Sequence, residues 1–285
     1  MTPDTRRDGP VDRRGGLTQR EFAAEYLRPL KPVILTDAFD HWRARERWTP
    51  AFFRERFGSR RVTVDGVEYR MSELLDLIQC SSAAKPAPYL RNVVIEQWAP
   101  ELLPDIQPLP QQTQPNWFDS RFFPERPSMT SLELYIGGAG ATFPTLHFDN
   151  LHTHAFLMQL FGTKEYVFYS PDQSAWLYPK QGIEANKSSV ADIEHPDLTR
   201  FPLFERAAAA RCLLHAGETL FVPAGWWHTA RILEPSITVS ANTMNASNWK
   251  AFIGDYDPAS SRQRKHNALM SAYLRVFGFI GCLTS

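Results

Sequence analysis

Short β-rich runs recur along the second half of the chain and constrain its fold more than any other feature. They are Leu132–Ile136, Thr145–Phe148, Ala155–Leu160, Glu165–Tyr169, Arg211–His215, Thr219–Val222, Trp227–Leu233 and Ile237–Asn242. Turn signals such as Gly137-Gly138 and Pro223-Ala224-Gly225 separate these runs. Many short strands at this spacing favour a sandwich or barrel, and the predicted fold is mainly β, a double-stranded β-helix (jelly roll) with flanking N-terminal and C-terminal helices.

The rest of the chain divides by composition and periodicity. Residues 1–16 are polar, charged and rich in proline and glycine, which is typical of a disordered leader. Residues 17–130 predict short helices and strands that end in a proline-rich, aromatic wrapping loop over residues 97–130. Residues 131–250 form the predicted jelly-roll core, and residues 251–285 the C-terminal helical segment.

Helix-start signals support the organisation predicted for the N-terminal part. Thr18 and Glu21 make a capping-box pattern for a first helix. Pro50 is suited to the first position of a second helix, and Gly58 is expected to end that helix. Ser72 is expected to cap the helix that follows.

Composition excludes several classes of function. Lysine plus arginine equals aspartate plus glutamate at 31 each, so nothing favours electrostatic capture of nucleic acid or of an anionic membrane. No apolar run is long enough to cross a bilayer, and the charged N-terminus does not resemble a secretory signal. Three widely separated cysteines, without a CxxC pair, fit a reducing compartment. We therefore expect a cytoplasmic protein.

Helical spacing returns near the C-terminus, between Arg262 and Ile280. A helix there would place five apolar residues on one face: Leu269, Tyr273, Val276, Phe277 and Ile280. This face either packs on the chain's own barrel or forms a homodimer interface, because its apolar density is high for an exposed end.

The tripeptide His147-Phe148-Asp149 is the first candidate for chemistry. On a strand, alternate residues point to one face, so His147 and Asp149 would converge while Phe148 turns away. His228, which follows the Pro223–Gly225 turn, would supply a third ligand. Two histidines and one carboxylate form a facial triad that leaves three coordination positions open. These ligand types suit iron(II), manganese and zinc alike.

Lys164 and the last predicted strand add a second feature. Lys164 begins an apolar strand, and an ammonium pointing into a barrel requires an anionic partner such as a bound dicarboxylate. On the strand Ile237–Asn242, the polar residues Thr238, Ser240 and Asn242 share one face, which suits a polar ligand inside the barrel. The alternative is that Lys164 extends to solvent and this polar face lies outside.

These residues resemble a known family. The stretch HFDNLHTHAFLMQLFGTKEYVFYSPDQSAWLYP, followed by HPDLTRFPLFERA and GETLFVPAGWWHTARILEPSITVSAN, is similar to the JmjC-domain hydroxylases, which are cupin-fold iron(II)- and 2-oxoglutarate-dependent oxygenases. The family includes the asparaginyl hydroxylase of hypoxia-inducible factor. The resemblance covers roughly residues 30–250, and the HxD…K and GETLFVPAGWWH blocks are its most specific parts.

The resemblance implies roles for individual positions. The iron ligands would be His147, Asp149 and His228. Lys164 matches the lysine that pairs with the distal carboxylate of 2-oxoglutarate, and Tyr89 matches a tyrosine that hydrogen-bonds the same group. Ser240 falls where relatives place a hydroxyl near the cosubstrate, and Asn242 lies close by on the same face. The Trp226-Trp227 pair corresponds to aromatic residues with a packing role.

Two departures from the family pattern concern the cosubstrate. Pro144 stands where relatives carry a serine or threonine, and the neighbouring Thr145 would replace that hydroxyl only if it faced the same side. Leu157 matches a position at which many relatives carry an asparagine. His152 and His154 are expected to share a strand face, with surface or supporting roles outside the ligand set.

The resemblance therefore implies an enzyme that uses iron(II), 2-oxoglutarate and dioxygen to hydroxylate a C–H bond. A protein or peptide side chain is the leading substrate class. Alternatives are a small molecule or a tRNA base, or a cupin metalloenzyme that does not use 2-oxoglutarate and would not require Lys164. A non-catalytic cupin with a structural or degenerate site is a further alternative, against which the complete triad argues.

Overall fold

The computed structural model of the chain describes residues 11–123, 131–255, 272–279 and 281. The strands are β1 (Asp12–Arg14), β2 (Val33–Leu35), β3 (Arg61–Val64), β4 (Val67–Arg70), β5 (Leu90–Val94), β6 (Glu133–Gly137), β7 (His154–Phe161), β8 (Lys164–Tyr169), β9 (Ala210–Leu214), β10 (Thr219–Val222), β11 (Trp227–Ile232) and β12 (Ser236–Thr243). The α-helices are α1 (Gln19–Phe22), α2 (Ala44–Arg47), α3 (Pro50–Phe57), α4 (Met71–Gln79), α5 (Ile95–Trp98) and α6 (Trp249–Asp255). Residues 272–279 are also helical.

Two sheets face each other and enclose the interior of the barrel. The larger sheet has seven strands in the order β1-β2-β10-β7-β12-β6-β5, and the smaller has the order β11-β8-β9. Apart from the parallel β1–β2 pair, neighbouring strands are antiparallel. Apolar residues of both sheets, among them Leu220, Phe168 and Ala230, form a shared core. The mainly β jelly-roll prediction is confirmed.

Strand β12 shows how the sequence directs side chains to the two faces of the large sheet. Ile237, Val239 and Ala241 are buried in the core that the N-terminal helices cover. The alternate residues Thr238 and Ser240 face the barrel interior and line its cavity together with the less buried Asn242. The predicted polar inner face is therefore present, and the alternative that it lies outside is wrong.

The N-terminal helices follow most of their predicted signals. The Thr18–Glu21 capping box is formed, with the amide of Glu21 donating to Thr18 Oγ1 at 3.3 Å. Helix α3 begins at Pro50 and ends before Gly58, as predicted. Ser72 is not a cap, because α4 already begins at Met71. The residue before the helix is Arg70, whose amide donates to Glu73 Oε2 at 2.8 Å.

The predicted leader over residues 1–16 is wrong for its last part. Strand β1 pairs in parallel with β2, so this segment is an edge strand of the large sheet. Arg13 donates to both carboxylate oxygens of Glu218, at 2.7 and 3.1 Å, which ties β1 to the barrel. A charged composition predicts disorder, but in this segment the charged side chains form ion pairs at a sheet edge. Residues 1–10 lie outside the described residues.

The connection over residues 97–130 wraps the barrel in short 3-10 helices at Pro100–Asp105, Gln111–Thr113 and Trp117–Asp119. Side chains fix its path: Trp42 Nε1 donates to the carbonyl of Pro108 at 2.7 Å. Residues 124–130 of the connection lie outside the described part. Within residues 11–123, 131–255, 272–279 and 281, no helix combines the length and the apolar character that crossing a membrane requires.

The C-terminal helical residues 272–279 pack against the wrapping connection and α6. Leu274, which is 3% exposed, and Phe277 join a cluster that contains Trp117. Tyr273 and Val276 are 43% and 59% exposed, so the chain's own packing covers only part of the predicted apolar face. Leu269 and Ile280 lie outside the described residues.

Candidate metal centre and adjoining pocket

His147 and His228 lie directly opposite each other on neighbouring segments. The amide of His147 donates to the carbonyl of His228 at 3.1 Å, and the reverse hydrogen bond measures 2.6 Å. Their rings lie 4.5 Å apart between centroids. Because directly opposed residues of an antiparallel pair project to one face, both imidazoles point to the same space.

The strand predicted over Thr145–Phe148 is not formed. Phe143 pairs with Ala230 through a 2.8 Å hydrogen bond, and the next pairing joins His147 to His228. Between these two pairings the segment advances by four residues, whereas β11 advances by two. The two extra residues therefore bulge out of the β-ladder. Pro144, which has no amide hydrogen to donate, lies in this bulge. The convergence of the ligand candidates is real, but its cause is not strand alternation.

Asp149 completes the group from the residue before a 3-10 helix at Asn150–His152. One ligand atom from each of His147, Asp149 and His228 lies within 4.8 Å of the other two. His147 Nε2 lies 3.8 Å from Asp149 Oδ1. The structure thus brings together the three residues that the sequence analysis selected.

Backbone carbonyls orient both imidazoles. His147 Nδ1 lies 3.1 Å from the carbonyl oxygen of Thr145, and His228 Nδ1 lies 3.0 Å from that of Trp226. A carbonyl only accepts, so each Nδ1 carries the proton and each Nε2 presents its lone pair. This arrangement is typical of metal-ligating histidines, whose second nitrogen is fixed by a hydrogen bond.

Burial sets the protonation of the group. It lowers the pKa of His147 to about 3, with a further contribution from the neighbouring His228, so this imidazole is neutral near pH 7. Burial raises the pKa of Asp149, and His228 partly opposes that shift. A neutral imidazole is the form that binds a metal, and a metal ion would in turn favour the carboxylate.

A cavity of about 230 Å³ adjoins the three residues inside the barrel. All five residues predicted to hold the cosubstrate line it: Tyr89, Thr145, Lys164, Ser240 and Asn242. The volume is at the small end for ligand pockets, so the cavity suits a small cosubstrate, with larger molecules reaching in from its mouth.

Lys164 is the buried cation of this cavity. Lys164 is only 1% exposed, and its Nζ donates to Tyr89 Oη at 2.8 Å. The ammonium also lies 5.2 and 5.8 Å from the ring centroids of Tyr89 and Tyr135. Burial lowers the pKa of Lys164 to about 7. The alternative in which Lys164 extends to solvent is therefore wrong.

Of the two positions that depart from the family pattern, Leu157 lines the cavity, whereas at the other Thr145 lines it and Pro144 does not. The bulge after Phe143 removes the strict alternation of a strand, so Thr145 faces the pocket although Pro144 precedes it. Leu157 lies opposite Ser240 across the β7–β12 pair, and Asn242 lies opposite Ala155. The amide of Asn242 is thus presented from β12, whereas β7 offers only apolar side chains at those two places.

Glu133, Tyr135 and Asn92 form a hydrogen-bonded group in the cavity lining that could not be recognised from the sequence. Glu133 Oε2 accepts hydrogen bonds from Tyr135 Oη at 2.7 Å and from Asn92 Nδ2 at 3.0 Å. Asn92 reaches them from β5 with a φ of 56°, a left-handed conformation that asparagine tolerates. Burial raises the pKa of Glu133, and the two hydrogen bonds oppose that shift. Glu133 and Tyr135 alternate with apolar residues along the strand predicted over Leu132–Ile136. This alternation is the sequence signal that could have identified these two residues, although not the hydrogen-bonded group.

His152 and His154 support the site without joining the ligand group. His154 is fully buried; its Nδ1 accepts the amide of Ala224 at 3.0 Å, and its Nε2 contacts Ser247 Oγ at 2.8 Å. It therefore links the start of β7 to the turn before His228. His152 contacts Asp255 at 2.6 Å from a turn with positive φ, so the predicted shared strand face is wrong.

The tryptophan pair has the packing role that was predicted. Trp226 Nε1 donates to the carbonyl of Leu30 at 2.7 Å, and Trp227 Nε1 donates to Ser174 Oγ at 2.8 Å. The two side chains are buried in different apolar clusters, Trp226 with Phe168 and Ala230, and Trp227 with Val167 and Tyr169. They hold the strand that carries His228 in place.

Comparison with known proteins agrees with this geometry. The profile of the cupin-like domain family matches residues 58–246, which include the candidate metal ligands and the pocket. The chain is 29% identical over 234 residues to lysine-specific demethylase 8 of Xenopus tropicalis, covering 77% of this chain and 49% of that protein. It is 28% identical over 295 residues to arginine-specific demethylase JMJ20 of Arabidopsis thaliana, covering 87% and 61%.

A relative that is named for a different function also matches this chain. The chain is 30% identical over 183 residues to tRNA wybutosine-synthesizing protein 5 of Gallus gallus, covering 64% of this chain and 50% of that protein. The chain thus spans about half to three fifths of the length of these curated relatives. The family profile and the barrel agree: this chain belongs to the cupin-like domain family, and it is similar to proteins named for lysine or arginine demethylation and for tRNA modification.

Proposed function

We propose that the chain is an iron(II)- and 2-oxoglutarate-dependent oxygenase that hydroxylates a C–H bond, with a protein or peptide side chain as substrate. One observation carries this proposal. A His-Asp-His group and a buried lysine without a carboxylate partner among the described residues line the same small cavity. A metal ion and a dicarboxylate together complement the two features.

The donor set of the group fits iron(II). It offers two imidazole nitrogens and one carboxylate, without a thiolate, and its ligand atoms converge within 4.8 Å. Three protein ligands on one side of a metal leave three positions open, enough for a chelating keto acid and dioxygen. His147, Asp149 and His228 would hold the metal, and the carbonyls bonded to Nδ1 would keep the imidazoles aimed at it.

The far end of the cavity fits a carboxylate. A buried ammonium is unfavourable when its only hydrogen bond to the described residues is to a phenol, and an anion would remove that cost. Lys164 and Tyr89 would therefore bind the distal carboxylate of 2-oxoglutarate. Thr145, Ser240 and Asn242 line the same cavity and offer hydrogen bonds to the rest of the molecule.

The chain's own side chains position the reactants and exclude water. When bound, iron(II) and 2-oxoglutarate supply the oxygen-activating chemistry, in which one oxygen atom enters the substrate C–H bond and the other enters succinate, with release of carbon dioxide. No side chain is required as a general base. The walls of the cavity hold the cosubstrate in one orientation and keep the target carbon close to the metal.

Two observations bear on the substrate class. Two of the relatives are named for demethylation of lysine or arginine and one for tRNA modification, and these names describe those proteins. The balance of 31 basic and 31 acidic residues gives no general attraction to RNA, which favours a protein or peptide. A small molecule or tRNA base is the second candidate.

We expect the iron(II)- or manganese(II)-loaded chain to bind 2-oxoglutarate and, with iron(II) and dioxygen, to form succinate slowly without a substrate. Binding is measured by anaerobic calorimetric titration, and succinate by chromatography. Metal binding without any 2-oxoglutarate binding would contradict the proposal and favour a cupin enzyme that does not use this cosubstrate.

We also propose that the C-terminal helical residues contribute to a homodimer and that the protein acts in the cytoplasm. Val276 and Phe279 are 59% and 61% exposed, and Phe122 nearby is 57% exposed, which is a high apolar content for a free surface. Replacing Val276 and Phe279 together by glutamate is expected to halve the mass in solution, measured by light scattering. A mass that stays that of a monomer before and after the change would leave only the packing role.

Cys80 and Cys212 are unpaired, which fits a reducing compartment such as the proposed cytoplasm.

A further inference from the structure

His152 lies between the two chain segments that carry the candidate metal ligands. Its ring packs against that of Phe148, which stands between the first two ligand candidates in sequence, with the ring centroids 4.6 Å apart. The same ring reaches the turn before His228, where a Cβ built on Gly225 would lie 3.5 Å from Cδ2 of His152. One side chain outside the ligand group therefore contacts both of the segments that supply it.

The backbone around His152 adopts a conformation that its own sequence disfavours. Leu151 and His152 have φ angles of 55° and 46°, in the left-handed region that residues other than glycine rarely occupy. Two such residues in succession persist only where the surrounding structure holds them. They follow Asp149 with a single residue between, so the position of this ligand candidate depends on the contacts that hold the turn.

Helix α6 and the residues just before it supply these contacts. Asp255, the last residue of α6, accepts a hydrogen bond from His152 Nδ1 at 2.6 Å, and because a carboxylate only accepts, this nitrogen carries the proton. Asn248 Nδ2 donates to the carbonyl of His152 at 2.9 Å. Leu151 packs against the apolar cluster that α6 forms with the wrapping connection and the C-terminal helical residues. The turn is thus fixed from α6 through one side chain and one carbonyl of His152.

We propose that His152 is a positioning residue of the metal centre, which fixes the two ligand-bearing segments relative to each other and is itself held by Asp255. The inference rests on the proposed function, because it concerns how the chain places the ligands of the proposed metal. His152 acts through the ring of Phe148 and through the turn before His228, and it contributes no ligand atom itself. Helix α6 then belongs to the structure that sets the geometry of the metal ligands, although none of its residues is a ligand candidate.

Anaerobic titration with manganese(II) tests this role in two single variants and their combination. His152→Gly removes the ring and suits the left-handed φ, so a loss of metal affinity reports the contacts of the ring and not backbone strain. We expect a loss of about tenfold, the lower end of the range for residues that orient metal ligands, because the contact passes through Phe148. Asp255→Ala should cost roughly threefold, and Asp255→Asn, which still accepts from Nδ1, should retain the affinity. The double variant His152→Gly/Asp255→Ala should lose no more than His152→Gly, because both residues act through one contact.

The cobalt(II)-loaded protein provides a readout that a merely stabilising residue would not change. The visible absorption bands of cobalt(II) depend on the arrangement of its ligands, so they should shift in His152→Gly. Asp192→Ala is the matched control, because it removes the carboxylate of an exposed His–Asp pair, and it should leave both the spectrum and the manganese(II) affinity unchanged.

Thermal melting of the metal-free proteins checks that the variants fold. Asp255→Ala changes a side chain that is 35% exposed, so it carries the test if His152→Gly does not fold. Unchanged manganese(II) affinity and an unchanged cobalt(II) spectrum in the folded variants would overturn the inference, as would losses that add up in the double variant. Failure of the unmodified protein to bind either metal would instead count against the proposed function.

Discussion

Replacing His147 or Asp149 by alanine is expected to abolish succinate formation and to weaken metal binding by at least two orders of magnitude. Loss of a partner that only supports a ligand costs roughly 10–100-fold in metal affinity, and loss of a ligand itself should cost more. The three ligand atoms lie within 4.8 Å of one another, so each removal leaves two donors and a site that is no longer facial. Metal affinity is measured by anaerobic titration with manganese(II).

Matched controls are available outside the barrel. His195→Ala and Asp192→Ala remove the same side-chain types from an exposed pair, whose side chains are 88% and 59% exposed. Both variants should keep full metal affinity and succinate formation. Thermal melting of the metal-free proteins checks that the variants fold. Unchanged metal affinity in folded His147→Ala would show that the ion binds elsewhere, and the assignment of the triad would then be wrong.

The residues of the site could be read from the sequence, but the path of the chain that assembles them could not. The HxD spacing suggested a strand, in which alternate residues share a face. The structure replaces that strand with a bulge that contains Pro144 and ends at the mutual His147–His228 hydrogen bonds. Pairing between segments some eighty residues apart depends on tertiary register, which a local pattern does not encode.

Local signals succeeded where local chemistry decides and failed where tertiary contacts decide. The capping box at Thr18 and the start of α3 at Pro50 were predictable because each depends on residues a few positions away. The strand β1 was missed because Arg13 is stabilised by Glu218, which is distant in sequence. Glu133 was missed for a similar reason, because the side-chain amide that donates to its carboxylate belongs to Asn92 on another strand.

Replacing Lys164 by methionine is expected to remove tight 2-oxoglutarate binding while metal binding survives. Loss of one partner from a buried charge pair costs about 2–5 kcal/mol, which is a loss of roughly thirtyfold to several thousandfold in affinity. Methionine has a similar length and no charge, so it fills the space beside Tyr89 and Tyr135 without a buried ammonium. Affinity is measured by anaerobic titration of the manganese(II)-loaded protein.

Two further variants test whether the loss of 2-oxoglutarate affinity is specific to the charge of Lys164. Lys187→Met removes the other lysine of the lining, whose ammonium is paired with Glu184, and should change 2-oxoglutarate affinity little. Tyr89→Phe removes the hydroxyl that accepts from the Lys164 ammonium at 2.8 Å but keeps the positive charge, so it should cost only about tenfold. Collapse of metal binding in Lys164→Met would show that this lysine maintains the metal centre rather than the cosubstrate.

The same lysine gives the binding reaction a definite pH dependence. Burial lowers the pKa of Lys164 to about 7 in the empty pocket, so below that pH the ammonium is already present when the dicarboxylate arrives. Above it, binding must be accompanied by uptake of a proton, because the bound carboxylate restores the charged form. The dissociation constant should therefore stay level up to about pH 7 and then rise by up to about tenfold per pH unit. Lys164→Met should lack this rise, and an equal rise in the variant would place the proton on another group.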